Sequence, residues 1–497
     1  MAHLLGIDLG SSSVKVSLVD AGTGKVIGSR QSPTGSELAI EAPAQGWAEQ
    51  DPETWWTHTS HALDALREAH DLGEVAAVGV AYQMHGLVLL DEAGEVLRPS
   101  IIWCDSRAVG QGRKAEKALG LEALAASTLN SPGNFTASKM AWVAEHEPEV
   151  LAKAHTAFLP GDYIAYRLTG QRRTTESGLS EMVLWDFNEG RTATQVLEAF
   201  GLSPKLLPDA SESFGDQGDV SAEVCARFGF RRNPKVTYRA GDQPNNAYSL
   251  NVLEPGEVAA TAGTSGVVYQ VTDQRRFDTQ QRVNTFLHVN RAAGSERLGI
   301  LLCLNGTGSA YSWVRRLVSA GGELVDYAQL NELAGDEPPA EDAPRFYPYG
   351  NGAERLLGNR APGAAMVGVD FARHSPGEIV ASAQDGIAAA LAYGTEVMAG
   401  LGSDVAVVRA GRANMFLSDR FCRAFTQLTG VALELYDTDG AQGAARAAGV
   451  GAGLFESHRA ALSSLQRVGH FEPETDTPLA EAYAAYYERW VAGTPTA

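Results

Sequence analysis

The stretch HLLGIDLGSSSVKVSLVDAGTGKVIGSR, residues His3–Arg30, decides the fold class. His3–Leu9 is apolar except for Asp8 near its end, Val14–Asp20 alternates, and Lys25–Arg30 returns after the turn sequence AGTGK. Short apolar or alternating runs separated by Gly and small hydroxyl residues predict a strand, a tight turn and two further strands. The tight turn is Gly10-Ser11-Ser12-Ser13. Its backbone N–H groups and hydroxyls can donate to a phosphate chain, and Asp8 beside it can hold Mg2+ directly or through water. Taken alone, Asp8–Lys15 reads equally well as a polar hairpin turn. It is not a Walker loop, because no G-x-x-x-x-G-K-[ST] run is present.

Outward from this unit, DPETWW predicts a helix start, with Asp51 as cap, Pro52 in the first turn and Glu53 at the positive end. Trp55, Trp56, Ala62, Leu63 and Leu66 recur at helical spacing. Val75–Ala81 is a short apolar strand that runs into Gln83-Met84-His85-Gly86. The second half opens similarly, with strand Val258–Ala262, turn Gly263-Thr264-Ser265-Gly266 and strand Val267–Val271. This is a faint internal repeat. It places a boundary near residues 250–257 and two domains at 1–252 and 253–490. Ser375-Pro376-Gly377-Glu378 is a capping box opening a helix whose buried face is Ile379, Ala383, Ile387 and Leu391. Strands and helices mixed in both halves give an α/β class.

Composition narrows the function. A chain of 497 residues, 44% hydrophobic and 20% charged, fits a soluble globular protein with two cores. A net charge of −20 argues against nucleic acid as a partner, since neutralising phosphates needs a basic surface. Cys104, Cys225, Cys303 and Cys422 are scattered without metal-ligand spacing, which fits a reducing, cytoplasmic setting. The N-terminus lacks a basic n-region, and the apolar run GIAAALAYGTEVMAGLG carries Glu396 among Ala and Gly. A signal peptide and a membrane span are therefore not expected.

Two further segments can carry chemistry. In Arg239-Ala240-Gly241-Asp242-Gln243-Pro244, a carboxylate beside Gly and amides suits a hydroxyl nucleophile, Asp242 taking its proton. In isolation it also reads as a solvated turn. His85, at the end of a buried strand, suits a sugar hydroxyl or a satisfied core position. Trp103-Cys104-Asp105-Ser106-Arg107 is either a polyol-binding wall or a structural Asp–Arg pair.

Together, QMHG, Leu97–Arg107, Phe135–Glu149, Leu159–Gly170, Ser177–Phe187 and Tyr347–Arg355 resemble the FGGY family of carbohydrate kinases, and within it the xylulokinases, from Asp8 to about residue 455. The resemblance implies two ribonuclease-H-like domains of the actin/hexokinase ATPase type flanking a catalytic cleft. It implies ATP and Mg2+, with Asp242 as base and Asp8 and Asp242 near the metal. Met84, His85, Asp242 and Gln243 would hold the sugar. Ser11, Ser12, Ser13, Lys15 and Thr264 would contact phosphates, Gly308 would lie on the nucleotide side, and Ala410, Gly411 and Asn414 would form the adenosine loop. The implied reaction is phosphorylation of a ketopentose, D-xylulose foremost, and a homodimer is common among relatives. Gln243 follows the base where xylulokinases carry Asn. Arg409-Ala410-Gly411-Arg412 stands where Gly-Gly-Gly-Ala is usual. Two readings stay open beside it. One is a kinase for L-xylulose, ribulose, erythritol or gluconate; the other is a non-catalytic sugar or nucleotide sensor on the same core.

Overall fold

A computed structural model describes residues 2–292, 294–319, 322–402 and 404–495. β1 (His3–Leu9), β2 (Val14–Asp20) and β3 (Val26–Ser32) form the expected antiparallel meander. α1 (Pro52–Ala69) follows, capped by the Asp51 side chain, which accepts from the Glu53 N–H at 2.9 Å. Trp55, Trp56, Ala62, Leu63 and Leu66 all lie on its buried face, as their spacing requires. β4 (Val75–Tyr82) and β5 (Lys235–Gly241) then run parallel to β1, giving the order β5-β4-β1-β2-β3. Their register sets Asp8, Ala81 and Ala240 side by side. Three carboxyl ends therefore finish together, and α2 (Asp242–Ser249) starts directly from the last of them. Ligand sites of parallel sheets gather at such ends.

The second sheet repeats this plan. β6 (Glu257–Ala262), β7 (Gly266–Thr272), β8 (Leu298–Leu304), α3 (Gly308–Val318), α4 (Pro376–Ala399), β9 (Val407–Gly411) and β10 (Leu433–Tyr436) follow in the chain. The strand order is β10-β9-β6-β7-β8, flanked by edge strands Asn284–Leu287 and Arg467–Phe471. β6 is antiparallel to β7 and parallel to β9, as β1 is to β2 and β4. The faint sequence repeat is a repeat of topology. At α4, Ser375 and Glu378 exchange the expected capping hydrogen bonds, and Ala383, Ile387 and Leu391 are buried, with Ile379 only partly so.

The chain divides into two compact units, each with its own hydrophobic core. The first runs through Asn251 and also takes Phe286–Leu298 and Thr438–Leu465; the second holds Val252–Thr285, Gly299–Asp437 and the chain from Gln466. The two returning segments have no counterpart in the sequence-based division at 252/253. The later one carries α5 (Gly440–Gly451), which lies on β1 and β4. A Cβ on Gly6 would stand 1.8 Å from the Ala441 carbonyl oxygen, and one on Gly79 would stand 2.1 Å from that of Ala444. Glycine at both places lets a helix of small residues touch the strands directly. No helix among the described residues is long and apolar enough to cross a membrane.

Candidate active site

In the first unit, Asp8 is the last residue but one of β1 and sits opposite Lys15 on β2. Asp242 opens α2, one residue beyond the end of β5. Both carboxyls keep some surface yet are surrounded by protein on most sides. Desolvation, reinforced by the charge of Asp439 and opposed by Lys15, pushes Asp8 up to about 6. Desolvation and then the charge of Asp8 push Asp242 up to about 7, against hydrogen bonds from Gln243 that pull it down. Asp439 caps α5, its side chain accepting from the Gln442 N–H at 2.9 Å. Gly440 makes room for Asp8, since a Cβ there would stand 2.3 Å from Asp8 Oδ2.

Two carboxyls kept partly protonated, both by burial and Asp242 also by the charge of Asp8, would gain from a cation. Mg2+ asks for only one or two protein oxygens and keeps its waters. Among the described residues, no group of three or more His, Cys, Asp and Glu side chains is arranged for a metal. Asp8 and Asp242 therefore fit a mostly hydrated Mg2+, not a closed metal cage.

The turn Gly10–Ser13 is held by its own backbone, with the Gly10 N–H donating to Ser13 O at 3.0 Å. Outside contacts fix it too. Leu38 N–H donates to Ser12 O at 2.8 Å, and Gln50 Nε2 donates to Ser11 O at 2.8 Å. Ser12 is exposed, and Ser11, Ser13 and Lys15 are partly so.

Met84 and His85 follow β4. Met84 is buried, and its Cγ would stand 2.6 Å from a Cβ on Gly241, immediately before Asp242. His85 has φ of +63°, a left-handed conformation that a non-glycine residue keeps only when its surroundings enforce it. Three contacts enforce it. The Lys139 Nζ donates to the His85 carbonyl at 2.7 Å, the imidazole Nδ1 donates to the Glu181 carbonyl at 3.0 Å, and the ring packs between Phe135 and Phe286. Burial pushes Lys139 down to about 7, and its other carbonyl partner is Ile102 at 3.0 Å. Gln243, half-buried, completes the predicted sugar set beside Asp242.

Asp105 belongs to a structural network. It accepts from the Ala48 N–H at 2.6 Å and from the Arg107 guanidinium at 2.7 Å, while Arg107 stacks on Trp47. The Asp–Arg pair of that segment is therefore formed, and Trp103 beside it is exposed.

In the second unit, Thr264, Gly308 and Asn414 line one cavity of about 1250 Å3, with Tyr311, Trp313 and Phe346. The Gly308 N–H donates to Gly263 O at 2.7 Å and the Ser309 N–H to Thr264 O at 3.1 Å, so the turn caps α3. A Cβ on Gly308 would stand 2.4 Å from Gly263 O. Asn414 has φ of +54°. Ala410 and Gly411 are not in the cavity wall. They end β9, where Ala410 is fully buried opposite Ala260 and Leu435, so its methyl takes no room from the cavity. Arg409 is held by Glu257 at 3.0 Å and Glu434 at 2.9 Å.

Sequence reasoning missed Glu181, Lys139 and the Asp439–Gly440 pair. The last had a signal, an Asp-Gly cap before the small-residue run AQGAARAAG. Glu181 and Lys139 had only the hint of a charge inside an apolar run.

Two sheets of one order, one ending in paired carboxyls and the other beside an aromatic cavity, define an ATPase fold of the actin and hexokinase type. Residues 3–247 match the N-terminal domain of the FGGY family of carbohydrate kinases. The chain is 29% identical over 492 residues to a xylulose kinase of Escherichia coli, covering 98% of this chain and 96% of that one. It superposes with a TM-score of 0.87 on a "xyloylose kinase" of Brucella ovis, at 26% identity over 99% of both chains. A gluconate kinase of Lactobacillus acidophilus shares the fold at 20% identity and a TM-score of 0.86, over 99% of this chain and 97% of that one. The chain belongs to the FGGY family and is a carbohydrate kinase.

Proposed function

We propose that this kinase transfers the γ-phosphoryl group of ATP to a primary hydroxyl of a ketopentose, D-xylulose first among them, with Asp242 as general base. The observation that carries the proposal is Asp242 itself. It is a carboxyl raised to about 7 by desolvation and Asp8, next to the Met84–His85 segment. A base near the working pH can take the hydroxyl proton and still be ionised often enough to act. As the proton moves to Asp242, the sugar oxygen bonds to the γ-phosphorus and ADP leaves with the electron pair of the broken bond.

Roles for the other residues follow their positions. Ser11, Ser12, Ser13, Lys15 and Thr264 donate to the phosphates. Asn414 and the aromatic cavity of the second unit, with Gly308, take the adenosine. Asp8 and Asp242 would hold Mg2+, which when bound offsets phosphate charge. His85 and Gln243 orient the sugar. The relatives named for xylulose favour a ketopentose, while the gluconate kinase shows that the same fold serves an acid acceptor.

A coupled ADP-release assay over xylulose, ribulose, erythritol, glycerol and gluconate tests this. The expected result is a kcat/KM for D-xylulose at least about tenfold above the rest. Equal rates across the panel would remove the ketopentose, and sugar binding without ADP release would remove the base.

A further inference from the structure

Glu181 ends the short helix Glu176–Glu181 in the first unit. It is 2% exposed, and neither carboxyl oxygen has a hydrogen-bond partner. The buried Tyr82 phenol lies against it, and its single O–H can meet at most one of the two carboxyl oxygens. Among the described residues no Lys or Arg forms an ion pair with it. Leaving such a group unmet is costly, so a native fold keeps one where a ligand or water completes it.

The surroundings of Glu181 say which ligand. Its Oε2 would stand 2.7 Å from a Cβ on Gly241, the residue before Asp242, and Met84 Cγ shares that spot at 2.6 Å. Its own carbonyl accepts from His85 Nδ1 at 3.0 Å. Glu181 thus lies against Gly241, next to Asp242, and holds the His85 ring through its carbonyl, and nothing else in the proposed mechanism uses it. The other nearby acid, Asp162, is already engaged by Thr174, by the Leu159 N–H and by Arg239 at 3.4 Å.

We propose that Glu181 is a specificity residue of the acceptor site: its carboxyl hydrogen-bonds the hydroxyls of an uncharged sugar and disfavours sugar acids. This rests on the reading that the first unit binds the acceptor. A neutral sugar supplies O–H donors to oxygens that lack them. An aldonate would add a carboxylate beside Asp242 and Glu181, two acids that already oppose each other's charge. The same fold can therefore serve gluconate in one protein and reject it in this one.

The test compares wild type, Glu181→Gln and Glu181→Ala on the best sugar of the panel, on its monodeoxy analogues and on gluconate. Glu181→Ala should raise the sugar KM at least about tenfold while kcat changes less than about threefold. One deoxy analogue that wild type handles at least about tenfold worse than the parent should become its equal in Glu181→Ala, because the lost hydroxyl no longer has a partner. Glu181→Gln should bind gluconate more tightly than wild type does. Unchanged sugar KM in both variants, or equal losses on the parent and every analogue, would show a purely structural side chain and overturn the proposal. Should Glu181→Ala fail to fold, the isosteric Glu181→Gln carries both comparisons. Should wild type release no ADP with any sugar, the kinase assignment of the sugar fails by itself. Dissociation constants from calorimetry then decide on Glu181, and an unchanged constant in Glu181→Gln overturns the proposal.

Discussion

At the strand end where β1 carries Asp8, the matching strand β6 carries Thr261, and the partner across the hairpin changes from Lys15 to Val267. The backbone plan is the same in the two units, but the chemistry is not. The first unit gathers ionisable groups at the ends of its parallel strands, where desolvation raises Asp8 and Asp242, helped by the charge of Asp439 on the first and of Asp8 on the second. The second has exchanged charge for a turn that caps α3 and for an aromatic wall suited to an uncharged planar group. One duplicated frame carries paired acids in one half and an aromatic cavity in the other.

The strongest challenge to that division is Asp242→Asn. Turnover should fall about a thousandfold or more, with the ATP dissociation constant within about threefold of wild type by calorimetry. Near-normal turnover would return Asp242 to the status of a buried structural acid. A glycine in each half gives the next contrast. Gly440→Ala crowds Asp8 and should lower kcat about ten- to a hundredfold. Gly308→Ala crowds the Gly263 carbonyl and should raise the ATP KM about tenfold while leaving the sugar KM unchanged. Steady-state kinetics with each substrate varied in turn would expose any exchange of these roles.

Two smaller effects concern protons. Asp242 should titrate near 7 in the free enzyme, and Asp8→Asn should move it lower by removing the neighbouring charge. Carboxyl 13C chemical shifts against pH would reveal a shift of the opposite sign. A carboxyl with a raised folded pKa favours the fold only while protonated. That contribution is complete below its ordinary value of 3.8 and is lost as pH rises through about 7. Asp242→Asn should therefore be more stable than wild type at pH 8, by up to about 4 kcal/mol, with little difference at pH 4.

Much of the frame was legible in the chain because it rests on local rules. The alternation of Val14–Asp20, the Asp51 cap and the Ser375–Glu378 box each act within a few residues, and each forms as read. Asp8, His85 and Asp242 could be nominated because strand ends and turns are readable. What escaped depends on contacts across long separations. Glu181 comes against Gly241 only after the sheet has formed, and Ala410 is turned into the core by its pairing with Ala260 and Leu435. No window of sequence contains both partners.

The placement of α5 also bears on how the protein is made. β1 and β4 leave the ribosome early, yet the helix that covers Gly6 and Gly79 is synthesised more than about 350 residues after β4. Until then the strands lack the helix that covers Gly6 and Gly79, and closing so long a loop is slow and exposes apolar surface meanwhile. A fragment ending at Asn251 would contain the whole five-stranded sheet and both Asp8 and Asp242, and would still lack the piece that lets that sheet bury itself. The half that carries the paired acids is the first to be translated and is complete only once α5 has been made.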